Sequence, residues 1–221
     1  MDVLETLYND EQQEFLLNIS GGNFKPSEYR SGFSKMMLMV YGKIKLKDIG
    51  DYKYLPEYSD EEIRVFVDYK NKEIVFVGRG SITKEDWLLS DAVIVSGSVT
   101  AFKITPRYRR NKKLVMDTLK DFPNYKIVLV GHSLSGFVAT TLYEELKDKY
   151  DDIKFVVFNR GTGFNENFDE KPVDYKNRIH FHTFGDVLSS FYLQDKRTKH
   201  NVEIPTDKNI HGIINFTKKL A

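Results

Sequence analysis

Apolar residues recur along this chain in two rhythms, and the switches between them predict a mixed α/β fold. From Asp2 to Ile19 the positions Val3, Leu4, Leu7, Phe15, Leu16 and Ile19 follow helical spacing, and Ser20-Gly21-Gly22 stops the run. Pro26 and Ser27 open a second helix, which passes through Phe33, Met36, Met37, Val40 and Tyr41 to Gly42. Residues Met36–Met39 are apolar on every side, so this helix is expected to be buried. The rhythm then shortens. Arg64–Tyr69 alternates Val65 and Val67 with Phe66, Asn71-Lys72 reads as a turn, and Ile74–Val77 completes a hairpin. A short apolar piece follows at Val93–Val95. Arg107–Lys120 reads as a helix, with Thr105 as its N-cap and Pro106 at its first position.

The second half repeats the alternation in larger units. Ile127–Val130 is an apolar run closed by Gly131, and a helix runs from Leu134 to about Tyr150. Ile153–Phe158 and Ile179–Phe184 are further strands. Strand, helix, strand, loop, strand is the order of a mainly parallel sheet with crossover helices. Asn159–Lys176 is the longest stretch without a pattern, and it falls where α/β folds keep functional loops.

Composition narrows the picture. At 221 residues the chain fits one domain over 1–221, with the helices of residues 1–42 packed on the core. It holds no cysteine, which removes disulfides and thiolate metal sites. The first residues, MDVLETLYNDEQQ, are acidic where a signal peptide starts basic and apolar. No apolar run approaches the roughly 20 residues of a membrane span. These features predict a cytoplasmic protein. A net charge of +1 argues against nucleic-acid binding by a global basic surface.

The segment Lys126–Gly136, KIVLVGHSLSG, carries the chemistry. A strand, a tight turn holding a serine among small residues, and a helix form the geometry of a nucleophile elbow. A serine hydroxyl needs a base and an orienting acid to attack at neutral pH. The other reading is an ordinary strand-to-helix turn with Ser133 as a helix cap. A second strand-to-turn site lies at Ile74–Ser81, IVFVGRGS. An acyl-transfer site needs one oxyanion donor from the N–H after the nucleophile, here Leu134, and another from a loop after an earlier strand. Ser81 can supply that second donor, although Gly78 and Gly80 can equally be making a plain turn.

Taken together these blocks resemble the class 3, fungal-lipase-like family of α/β-hydrolases. Phe76–Trp87, FVGRGSITKEDW, resembles the family's block around Arg-Gly-Thr/Ser with its following tryptophan. Val128–Gly136 resembles its G-H-S-L-G-G elbow. His180–Leu188, HFHTFGDVL, resembles the strand that ends in an acid, and Asn209–Gly212, NIHG, resembles the histidine block that follows. The resemblance implies an α/β-hydrolase fold, with Ser133 as nucleophile, Asp186 as acid and His211 as base. It implies hydrolysis of carboxylic esters of acyl lipids without metal or organic cofactor. Asp174 and Asp195 are rivals to Asp186, but neither follows so clear a strand. Of the other histidines, His180 and His182 read as packing or solvent residues. His132 should point away from Ser133, and His200 lies in a polar stretch.

The chain departs from the family pattern at particular places. Ser135 replaces a glycine, and Gly78 stands where a bulky residue is usual. The His-x-Gly-Phe segment is missing, with Val95-Ser96-Gly97 as its nearest remnant. Ile82–Leu89 could form a short lid with Trp87, Leu88 and Leu89 as its apolar face, or Trp87 could be a core residue. Two other functions stay open: a small-molecule esterase or thioesterase, and an inactive lipase-like protein that binds lipid. Lys103, Arg107, Arg109, Arg110, Lys112 and Lys113 crowd a helix N-terminus with no acid between them. They oppose the helix dipole there, which suggests peripheral contact with an anionic lipid surface.

Overall fold

The computed structural model describes residues 26–81, 99–161, 177–183 and 201–204. They build a seven-stranded sheet whose spatial order follows the sequence: β1 Lys53–Tyr54, β2 Ile63–Asp68, β3 Glu73–Gly78, β4 Lys126–Ser133, β5 Ile153–Arg160, β6 Arg178–Thr183 and β7 Asn201–Ile204. The first three strands pair antiparallel. From β3 to β7 every pairing is parallel. The helices are α1 Pro26–Val40, α2 Val99–Lys103, α3 Pro106–Asp121 and α4 Leu134–Leu146. This is a mainly parallel sheet with helices on both faces.

Period-two alternation divides the core between the faces. Val65, Val67, Ile74, Phe76, Ile127, Leu129, Phe155 and Val157 pack on α3 and α4 through Tyr108, Val115, Leu119, Phe137 and Leu142. Their neighbours Phe66, Val75, Val77, Val128, Val130, Val156 and Phe158 pack on α1 through Phe33, Met36, Met37 and Val40. Covering both faces explains why β3, β4 and β5 read as continuous apolar runs. Within the apolar stretch of α1, Met36, Met37 and Met39 are buried, while Leu38 is only partly so.

Local signals set the helix ends. Thr105 caps α3 by accepting the Tyr108 N–H, with Pro106 at the first position. Helix α1 ends in a Schellman motif: Lys43 N–H bonds the Leu38 carbonyl and Gly42 N–H the Met39 carbonyl, both at 2.9 Å, with Gly42 at φ +66°. That ending places Tyr41 beside the carboxyl ends of β3 and β4, where sites in open α/β sheets form.

Several element boundaries differ from expectation. Helix α4 stops at Leu146 rather than near Tyr150, and β5 continues to Arg160, two residues into the segment read as loop. Strands β1 and β7 were not expected, since two and four residues are too few to show alternation. The helix expected over Asp2–Ile19, the strand piece Val93–Val95 and the lid segment Ile82–Leu89 lie outside the described residues.

Candidate active site

Strand β4 ends at Ser133 and α4 begins at Leu134, with nothing between. The chain manages this by holding Ser133 at φ +57°, ψ −123°. A residue with a Cβ rarely adopts that backbone, and such strain gathers at functional sites. The ladder to β5 shifts at His132/Ser133, and Ser133 comes opposite Arg160. The Ser133 carbonyl accepts the Gly161 N–H at 3.1 Å, which braces the elbow from the end of β5. The Ser133 side chain makes no capping bond to α4. It is partly exposed while His132, Leu134 and Ser135 are buried. Leu134 N–H is among the first donors of the helix, which have no intrahelical acceptor.

The neighbouring small residues have steric reasons. A Cβ on Gly131 would run into the Ser135 carbonyl, and one on Gly136 would stand 3.1 Å from the Arg160 Cα. Ser135 itself is 2 % exposed and fully engaged. Its hydroxyl accepts the His132 N–H at 2.9 Å and donates to the Gly78 carbonyl at 2.5 Å. It is therefore no rival nucleophile.

The turn after β3 lies against the elbow. A Cβ on Gly80 would come 3.1 Å from the Ser133 Cβ and 3.0 Å from the His132 carbonyl, so only glycine allows this approach. Gly80 N–H donates to the Tyr41 hydroxyl at 2.6 Å, and that hydroxyl is 2.7 Å from His132 Nδ1. His132 thus turns away from Ser133 and toward α1, as expected. Arg79 is buried: its N–H bonds the Glu62 carbonyl at 3.0 Å and its Nε the Glu61 carbonyl at 2.7 Å. Arg107 Nη2 donates to the Arg79 carbonyl at 2.7 Å. Ser81, the next residue, closes the described part of this turn.

Most of the basic run around the start of α3 is ion-paired. Arg107 is 2 % exposed and sits behind the turn, 3.3 Å from Glu62. Arg110 reaches the same carboxylate at 2.5 Å, as does Asn111. Lys103 and Lys112 share Glu145 at 2.9 and 2.7 Å, and Lys113 pairs with Asp117. Burial raises the Glu145 carboxyl, but the bonds from Lys112 and Lys103 outweigh it and hold the group below its ordinary range. Among the described residues only Arg109 of the run is exposed without a carboxylate. The acids that absorb this charge come from β2 and α4, so the local sequence around α3 could not reveal them.

Of the residues singled out from sequence, the structure brings together Ser133, Leu134 and the turn that leads to Ser81. Asp186, His211, Trp87 and Leu88 lie outside the described residues. His180 is a buried packing residue whose Nε2 accepts the Arg160 N–H at 3.2 Å. Arg160 lies over the Phe137 ring at 4.5 Å and bonds Thr140 Oγ1 at 2.7 Å. Sequence reasoning missed Tyr41, Arg107 and Gly161 as supports of the site. The glycine beside Tyr41 marked only a helix end.

No family model matches the chain. Two curated proteins do, each a secreted mono- and diacylglycerol lipase A, from Penicillium cyclopium and Penicillium camembertii. Each is 23% identical over 155 residues, covering 63% of this chain. The chain is similar to these two lipases at low identity. It spans about half (50%) of the length of those curated relatives. Among solved structures, this chain is similar to the Lip2 lipase of Yarrowia lipolytica, with 16% identity, 88% of this chain and 81% of that one covered, and a TM-score of 0.49. A triacylglycerol lipase from Penicillium expansum gives 16% identity, 81% and 78% coverage and a TM-score of 0.43. The curated relatives are secreted, and this overturns the cytoplasmic expectation. The physical reason is that lack of cysteine excludes disulfides, not an oxidising space; a chain with two packed core layers needs no such staple.

Proposed function

We propose that this protein is an extracellular serine hydrolase that cleaves carboxylic esters of acyl lipids. The observation that carries the reading is Ser133: a serine with a Cβ held at φ +57°, partly exposed, at a helix N-terminus, its hydroxyl unused in capping. A turn that needed only a cap would relax to an ordinary backbone. The secreted mono- and diacylglycerol lipases to which the chain is similar supply the substrate class.

In this reading Ser133 Oγ attacks the ester carbonyl carbon while His211 takes its proton. Asp186 holds the His211 tautomer and stabilises the imidazolium. The oxyanion is met by Leu134 N–H and by Ser81, at the positive end of α4. Collapse of the tetrahedral intermediate breaks the bond to the alcohol, which leaves with the proton from His211. Water, deprotonated by His211, then releases the carboxylate from Ser133. Trp87 and Leu88 belong to the segment proposed as a short lid over the site.

The test is turnover and labelling. Wild-type protein should hydrolyse medium- and long-chain acylglycerols and take up one fluorophosphonate per chain. Ser133→Ala should lose both while keeping its fold. Full esterase activity in folded Ser133→Ala overturns the reading. A preference for short soluble esters, with no gain at a lipid interface, reassigns the substrate to small molecules.

A further inference from the structure

The β3–β4 ladder ends at Gly78 opposite Gly131. Beyond that pair the two oxyanion donors of the proposed site ride on separate segments, Ser81 after β3 and Leu134 after β4. Sheet hydrogen bonds no longer fix one segment against the other. The Ser135 hydroxyl sits at this gap, taking the His132 N–H from one segment and giving its proton to the Gly78 carbonyl of the other. We infer that Ser135 is a positioning residue that ties the nucleophile elbow to the oxyanion turn, and that Gly78 is glycine because Ser135 is serine.

The second half follows from space. A Cβ on Gly78 would stand 2.8 Å from the Ser135 Cβ and 3.3 Å from its hydroxyl. The first of these distances is shorter than real Cβ atoms tolerate. With glycine at 135 the nearest remaining atom would be the Val130 carbonyl oxygen at 3.8 Å, an ordinary contact. Gly78 is not held at positive φ, so its lack of a side chain answers to crowding alone. The two departures from the fungal-lipase pattern therefore meet at one point. Serine stands in the elbow, no side chain stands before Arg79, and a buried hydrogen bond ties the two segments.

This inference rests on the hydrolase reading. Its test compares wild type, Ser135→Ala, Ser135→Gly, Gly78→Ala and the double variant Gly78→Ala/Ser135→Gly. The measurements are kcat and KM on a soluble short-chain ester, affinity for a boronic acid that mimics the tetrahedral intermediate, and melting temperature. Assays run where every variant is folded. Ser135→Ala should lose about 10- to 100-fold in kcat with KM changed less than about twofold, because a small displacement of donors acts on the transition state. Boronate affinity should fall by the same factor, which a purely structural role would not produce. Gly78→Ala should be damaging in the Ser135 background and change kcat by less than about twofold in the Ser135→Gly background.

Wild-type kcat and boronate affinity in Ser135→Ala overturn the inference. So does equal damage from Gly78→Ala in both backgrounds. A wild type that neither turns over ester nor takes up fluorophosphonate overturns the hydrolase reading, and this inference with it. A reactive wild type beside an unaffected Ser135→Ala overturns this inference alone.

Discussion

The Tyr41 hydroxyl lies 2.6 Å from the Gly80 nitrogen, a contact across 39 residues that fastens the end of α1 to the turn beside Ser133. Tyr41→Phe keeps the ring and removes the acceptor. The Gly80 N–H then loses its partner in a part-buried setting, at a cost of about 1–3 kcal/mol. Stability should fall by that amount in calorimetry. Turnover should fall about 10-fold with little change in KM, through the loosened turn. Unchanged kcat in a folded Tyr41→Phe protein would mean the turn is held without this bond.

The backbone of Ser133 predicts a trade between stability and turnover. Strain of this kind costs about 1–3 kcal/mol, and glycine adopts the conformation freely while losing about 0.5–1 kcal/mol to chain entropy. Ser133→Gly should therefore be more stable than wild type by about 1 kcal/mol and inactive. Ser133→Ala retains the Cβ and should gain nothing. Chemical denaturation of the three proteins checks the ranking; a less stable Ser133→Gly contradicts the strain.

Arg107 is a brace rather than a surface charge. Arg107→Ala removes the donor to the Arg79 carbonyl and leaves Glu62 short of one partner. A loss of about 3–5 kcal/mol is expected for breaking a buried pair from one side. Arg107→Lys should recover only part of it, because an ammonium cannot reach Glu62 and the Arg79 carbonyl with the same planar fork. Urea midpoints measured on both variants decide the matter.

Glu145 should make stability depend on pH in a defined window. Its carboxyl is held below the ordinary value in the folded chain, so it binds its proton less readily folded than unfolded. The stabilisation is present above the unfolded pKa of about 4.3 and is lost as pH falls through the lower folded value. Both lysine partners are substantially exposed, so screening limits the effect to about 0.5–1 kcal/mol. Glu145→Gln should melt below wild type at pH 7, and the gap should shrink as the pH falls through the lowered folded value. A gap that persists in acid would point to packing instead.

Much of this could be read in the chain. The hairpin, the Thr105-Pro106 start of α3, the strand runs of β4 and β5 and the elbow are all local patterns, set by side-chain period and turn chemistry. What escaped is what depends on distant partners. Ser135 reads as a flaw in a motif until Gly78, 57 residues away, is found against it. The cations of α3 read as unpaired until Glu62 and Glu145 fold onto them. Tyr41 reads as the tail of a buried helix, because nothing near it names Gly80 or His132. The elbow's strain itself left a trace, since small residues flank Ser133, but its sign and size are visible only in the backbone.

The sequential order of the strands carries a consequence for how the protein comes into being. Each parallel neighbour is the next strand to emerge during synthesis, so the sheet can extend edge by edge without a gap left for a later insertion. The turn leading to Ser81 comes first, the Ser133 elbow docks against it next, and the proposed acid and base arrive last. A growing chain would thus form the Ser133 turn before Asp186 or His211, its proposed partners, had been made.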